Sequence, residues 1–331
     1  HRLRVRYLLN TETMTRLLIA SFLIFIFAAP FKAQQRFRRT SFPVNSFLIN
    51  PAVAGTEPVT VFGSSYRNQW AGFDGAPTTT VFSAHSSFPN QIGGGIIVYN
   101  DDMGGAVSQT GVELTGSYQL RLPNADAVSF GLSLQGTQFG FDSSDLNVWD
   151  QDDPSLNGSL ETTFGVDAST GMMIYGTDYF FGIAVSNLFQ DKLGLIGVEN
   201  DLNQHIRHYR FMGSYTTDVT NEMSVQTSGM LRLTEVTPAQ IDIHSRVIYK
   251  FYQALYWGGL GVRMGDAVTV SAGIEFASIG FSYAYDISTG ANLLSPHSHE
   301  INLTYILAHR RGFGQGSLGP RRILEKSRLV K

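Results

Sequence analysis

The sequence predicts an all-β chain, a transmembrane antiparallel β-barrel of about 14 strands wound as an up-and-down meander. Three observations lead there. Apolar and polar residues alternate with period 2 in run after run. The connections between runs alternate between short and long. An apolar block near the start has the length of an export signal. Composition agrees: the 331 residues hold 34 Gly, 23 Phe and 14 Tyr, no Cys, and only 15% charged residues against the usual quarter. After residue 30 no continuous apolar run is long enough for a membrane-crossing helix.

The first element is residues 17–29, LLIASFLIFIFAA, behind Arg16. It is too short to span a bilayer and suits the h-region of a signal peptide. On this reading residues 1–33 are removed after Ala33, Met14 is the true start, and residues 1–13 are untranslated upstream sequence. With no Cys behind the block the chain is not a lipoprotein, and it uses no disulfide for stability. Residues 34–57, QQRFRRTSFPVNSFLINPAVAGTE, do not alternate and contain Pro43, Pro51 and Gly55. They are expected to be a lead-in packed at or inside the periplasmic mouth. Residues 58–307 are the barrel and residues 308–331 a basic tail. Charge is uneven: residues 40–307 carry 9 Lys/Arg against 25 Asp/Glu, and residues 308–331 carry 7 against one Glu.

The strand-like runs begin near Val59, Thr78, Ile92, Gln109, Ala127, Thr162, Tyr179, Tyr209, Met223, Ala239, Ala254, Ala267, Ile279 and His299. In the twelfth run Val268, Val270, Ala272, Ile274 and Phe276 share one face, and Thr269, Ser271, Gly273 and Glu275 the other. Every even connection is short, as in PNQ, PNAD, GTD, TNE and ASIG. The long ones, NQWAGFDGAP and DSSDLNVWDQDDPSLNGS among them, are all odd, although MGDA and EVTP are odd and short or moderate. Short periplasmic turns and long external loops give this parity in an outer-membrane barrel.

Lipid offers no hydrogen-bond partner, so the strands must close and the apolar face must point outward. Arg67, Glu113, Arg121, Arg232, Asp242, Arg246 and Glu275 then face the lumen, with Arg210 and His244. Arg67 is expected to pair with an acidic lumen residue such as Glu113. Tyr118, Phe141, Tyr249, Tyr283 and Tyr305 suit aromatic girdles. If the first strand runs on, Arg67 and Gln69 share one face, Asn68 and Trp70 the other. A secreted sandwich, propeller or lectin shows the same alternation with its apolar face inward; loop parity and the signal favour the barrel.

Little in the chain suggests catalysis. There is no P-loop, no dinucleotide fingerprint and no G-x-S-x-G elbow. His85 and Ser87 share a face without a group to orient the base, so the chain is read as no enzyme, with no cofactor. His297 with His299, and His205 with His208, lack a carboxylate at ligand spacing and are read as polar loop or lumen residues. Asp142, Asp145, Asp150, Asp152 and Asp153 crowd one loop without EF-hand spacing and are read as solvated. Candidate partner contacts on the external loops are Trp70, Phe73, Asp101, Asp102, Trp149, Asp150, Asp152 and Asp153. The basic tail is read as a solvated end, or as a docking element. No nucleic-acid partner is expected.

Several stretches in register carry a resemblance. They are NPAVAGT over residues 50–56, with Asn50, Pro51 and Gly55; YRNQW, which is Tyr66, Arg67, Asn68, Gln69 and Trp70; GAPTT; IGGGIIVYNDDMGG from Ile92; and SHEINLTY near the end. In order and spacing across about residues 45–307 the chain resembles the PorP/SprF family of the type IX secretion system in Bacteroidetes. The resemblance implies an integral outer-membrane barrel that supports secretion or surface retention of cargo, in gliding motility or protein secretion. Implied partners are the lipid bilayer, the C-terminal domain of a secreted cargo protein such as an adhesin, and periplasmic ring or motor components. It implies no catalysis. The tail departs from the family, whose chains end near the last strand. The alternative function is a channel or transporter for small solutes.

Overall fold

The computed structural model describes residues 42–105, 107–123, 126–142, 160–190, 206–289 and 297–308. The signal block, the acidic loop with Asp145, Trp149, Asp150, Asp152 and Asp153, His205, and the basic tail lie outside the described residues.

Fourteen strands form one closed antiparallel barrel. They are β1 Val59–Asn68, β2 Thr78–Phe88, β3 Ile92–Asp102, β4 Val107–Arg121, β5 Ala127–Asp142, β6 Leu160–Tyr175 and β7 Tyr179–Ser186. The second half is β8 His208–Asp218, β9 Met223–Thr234, β10 Gln240–Phe251, β11 Ala254–Arg263, β12 Ala267–Phe276, β13 Ile279–Ser288 and β14 Ser298–Ala308. Each strand pairs with its sequence neighbours, and β1 closes on β14 with Val59 opposite Ala308. The expected starts at Gln109, Thr162, Tyr209, Ala239 and His299 each move by one or two residues, the usual uncertainty at strand ends.

The two faces decide between barrel and sandwich. Large apolar side chains are on the outside, such as Leu114 at 59%, Phe164 at 68% and Leu260 at 64% exposure, while Ser129, Thr137, Asp242 and Thr269 are almost fully buried. A soluble sandwich would reverse this order, because water drives apolar area inward. Here the apolar band fits lipid, and the polar residues face an enclosed interior. No helix of the described residues is long and apolar enough to cross a membrane. Tyr118, Tyr249, Tyr283 and Tyr305 lie on the outer face. Phe141 departs from the girdle expectation: it follows Phe139, which is buried inward, on the same phase of β5.

Inside the barrel sits a core that the strands alone do not make. Phe42, Phe47, Ile49, Ala52, Val53 and Ala54 are buried with Val81, Ile97, Tyr99, Met173, Phe180, Met212 and Met230 of the wall. The segment before β1 thus lies in the lumen, fills part of it and leaves it at the end where the short turns lie.

Candidate functional site

The lumen segment is built around Asn50. Its side-chain amide donates to the backbone carbonyls of Met172 on β6 and Ile183 on β7, at 3.3 and 3.2 Å. Its Oδ1 accepts from Ala52 N at 2.9 Å, which caps the single turn Pro51–Val53. Pro51 suits the first position of that turn, where no amide donor is needed. Four residues on, the carbonyl of Ala54 accepts from Ser117 Oγ at 2.6 Å and from Gln119 Nε2 at 3.0 Å, both on β4. Arg210 on β8 donates to the carbonyl of Ile49 at 3.3 Å. A buried backbone without such donors and acceptors would be costly.

The wall makes room through glycine. A Cβ on Gly131 would overlap the Pro51–Ala52 peptide, one on Gly171 would overlap Asn50 Oδ1, and one on Gly93 would overlap the Ala54 carbonyl. Gly55 has φ +68°, where only glycine sits without strain, and the chain turns there toward β1. NPAVAG is therefore a plug motif, whose glycine partners lie on β3, β5 and β6.

The opposite, long-loop end of the lumen is ionic. Arg67 on β1 pairs with Asp286 on β13 at 2.9 Å and Glu300 on β14 at 3.3 Å. Arg263 on β11 pairs with Asp242 on β10 at 3.0 Å, Asp266 at 3.1 Å and Asp286 at 3.5 Å. Thr269 Oγ1 donates to Asp286 at 2.7 Å. The ion pairs of Arg67 therefore run to β13 and β14. Glu113, the expected partner, instead accepts from Ser133 Oγ at 2.5 Å on β5. β1 closes on β14, so residues far apart in sequence become its neighbours.

Of the other expected lumen charges, Asp242 is buried in this network. Arg246 donates to Gln226 Oε1 at 2.7 Å and lies 4.9 Å over the Trp257 ring. Glu275 and Arg232 are half-buried, and Arg121 is exposed at the short-turn end. Arg263, Asp286 and Glu300 were not singled out from the sequence, although all three fall on an inward phase.

Loop residues 69–77 rise from this network. β1 stops at Asn68, and Trp70 has φ +56°, so the strand does not run on to Trp70. The loop is tied to β14: Trp70 N donates to Ser298 Oγ at 3.1 Å and Ala71 N to the His297 carbonyl at 2.9 Å. Trp70 and Phe73 remain exposed. Asp101 is buried and accepts from Thr79 Oγ1 and Gln109 Nε2, whereas Asp102 is exposed and caps Gly104 N at 3.0 Å. His299 is on the outer face against Tyr283 and Tyr285, and His297 lies beside Tyr285. They form part of an aromatic girdle, not of the lumen. His85 is buried against Phe47, with ring centroids 4.8 Å apart, and His208 is buried at the start of β8. Among the described residues no group of three or more His, Asp and Glu could hold a metal ion.

Three comparisons bear on this arrangement. The family described as "Type IX secretion system membrane protein PorP/SprF" matches residues 31–305. No curated protein matches the chain. Among solved structures, the "CymD monoaromatic hydrocarbon channel" is 10% identical with TM-score 0.51, over 84% of this chain and 95% of that one. A "Pseudomonas aeruginosa FadL homologue" is 10% identical with TM-score 0.49, over 78% and 92%. The "P. putida toluene transporter TodX" is 9% identical with TM-score 0.48, over 81% and 95%. At 10% identity the first of these shows a shared barrel fold and nothing more.

Proposed function

Because the chain belongs to the PorP/SprF family and is an outer-membrane β-barrel of the type IX secretion system, we propose that it holds secreted cargo at its long-loop mouth. The cargo would be a surface adhesin or another secreted protein, engaged through its C-terminal domain in gliding motility or protein secretion. The observation that carries this reading is the lumen, which is filled along part of its length by the chain's own residues 42–56 and narrowed at the long-loop end by paired charges. A wall built this way suits a rigid platform better than a pore. Short turns face the periplasm in such barrels, so the loop bearing Trp70 and Phe73 is external. Those two exposed aromatics, with Asp102 and the loop carrying Trp149, Asp150, Asp152 and Asp153, are the proposed contacts, since aromatics anchor interfaces. Periplasmic ring or motor components would meet the short-turn end, after export through a cleaved signal peptide.

The second reading, a channel for small solutes, has one observation in its favour. A cavity of about 400 Å³ opens in the lumen at the short-turn end, between β7 and β10. Affinity purification from the native membrane and conductance in planar bilayers separate the two. Co-purified cargo with negligible conductance supports the platform. Large steady conductance with no bound cargo overturns it.

A further inference from the structure

The lead-in and the ion pairs leave part of the lumen open. A cavity of about 110 Å³ lies between residues 43–47 of the lead-in and the wall from β8 to β14. It shares Phe180, Ser214, Gln226 and Ile248 with the cavity of about 400 Å³, so it opens toward the short-turn mouth. The two together have the size of a small-ligand pocket, about 300–1,000 Å³.

The charges of this cavity are already engaged. Arg246 donates to Gln226 and lies over the Trp257 ring. Trp257 in turn lies against Gly273, where a Cβ would overlap the indole. Neither Glu57 nor Glu275 of the lining is without a partner. A further ion would therefore enter an interior with no free counter-charge for it, which is costly. What is left over is hydroxyl capacity. Ser282 on β13 is 4% exposed and lines the cavity, and its Oγ has no hydrogen-bond partner among the described residues. A buried polar group without a partner carries its full desolvation cost, and a ligand that bonds it recovers that cost. On the β8–β9 side Ser228 Oγ donates to Ser214 Oγ at 2.8 Å. That leaves the Ser214 O–H to donate and the Ser228 oxygen to accept. Phe47, Phe180, Leu255 and Trp257 supply apolar surface beside these groups.

We propose that this cavity binds a small neutral saccharide that enters from the short-turn end, with Ser282 Oγ as the group it satisfies. Sugar hydroxyls both donate and accept, which matches Ser214, Ser228 and Ser282. The C–H faces of a sugar ring match the aromatic and aliphatic lining. The site stands apart from the cargo reading, which concerns the loops at the other end, and it needs no conducting barrel.

Trp257 reports on the site. The chain has three Trp, so Trp70→Phe with Trp149→Phe leaves Trp257 alone. This full-length chain is titrated with glucose and with maltose, in an amine-oxide detergent that carries no sugar headgroup. A saturable change in Trp257 fluorescence is expected for at least one of them. Ser282→Ala should then weaken binding by about three- to tenfold, the worth of one hydrogen bond. It should not lower the midpoint of the heat-modifiable gel shift, since the hydroxyl bonds nothing in the unliganded barrel. Absence of a saturable change with either sugar, as in a cavity that holds only water, overturns the proposal. So does an affinity that Ser282→Ala leaves unchanged, or a response to choline or acetate stronger than to both sugars.

Discussion

The two halves of the inner wall are held by different physics. Along β3–β7 the lumen is filled by backbone: the turn Pro51–Val53 lies against glycines, and Asn50 donates to the carbonyls of Met172 and Ile183. At the long-loop end of β10–β14 and β1 it is filled by charge, with Arg67 and Arg263 sharing Asp242, Asp286 and Glu300. The first region asks for small residues and complete hydrogen bonding. The second asks for charge balance, since a buried ion is tolerable only when paired. The exposed loop that bears Trp70 grows from the charged region, so the ionic network is its foundation.

The largest effect should come from breaking the charged region. Arg67→Met leaves Asp286 and Glu300 short of a cation and is expected to destabilise the barrel by about 3–5 kcal/mol. The midpoint of the heat-modifiable gel shift would report it, and an unchanged midpoint would count against a structural role for the pairs. Next is the glycine track. Gly131→Val forces the Pro51–Ala52 peptide aside and should cost about 1–3 kcal/mol, toward the upper end because backbone atoms stand in the way. It should also raise single-channel conductance, which the Arg67 substitution does only if the whole barrel loosens. Asn50→Ala removes the amide from two carbonyls and the cap from Ala52, for about 1–2 kcal/mol in chemical denaturation. The smallest effect on stability, within about 0.5 kcal/mol, is expected for Trp70→Ala, because the ring is exposed. Its effect should instead be on cargo retained at the cell surface. Combining Arg67→Met with Gly131→Val sharpens the contrast: Gly131 lies on β5 and the charge pairs on β1, β10, β11, β13 and β14, so the two costs should add to within about 0.5 kcal/mol.

How far the molecule could be read in advance differs by kind of feature. Strand starts were legible almost to the residue, because alternation is local and a lipid-facing strand tolerates few errors in it. The inward phase of Asp242, Asp286 and Glu300 was equally legible. Which cation each carboxylate meets was not. Arg67 pairs across the closing seam, more than two hundred residues away, and nothing in its neighbourhood distinguishes Glu113 from Glu300 as a partner. Trp70 departs from strand geometry because β1 ends at Asn68 and the loop is tied to β14, a contact invisible from within the YRNQW run. His299 follows β14 onto the outer face beside Tyr285, although its polarity suggested a wet interior or loop.

The sequence by itself determined the barrel. Period-2 alternation, even connections that stay short, and the scarcity of charge state which residues meet lipid and which do not, and those are properties of neighbours along the chain. Only the tertiary structure decided how the lead-in, expected at or inside the periplasmic mouth, is held in the space the strands enclose. Residues 42–56 have no period to read, and their role depends on glycines of β3, β5 and β6 that reach them only after the sheet has closed. Closure converts phase into contact, and contact across a lumen has no signature in local sequence.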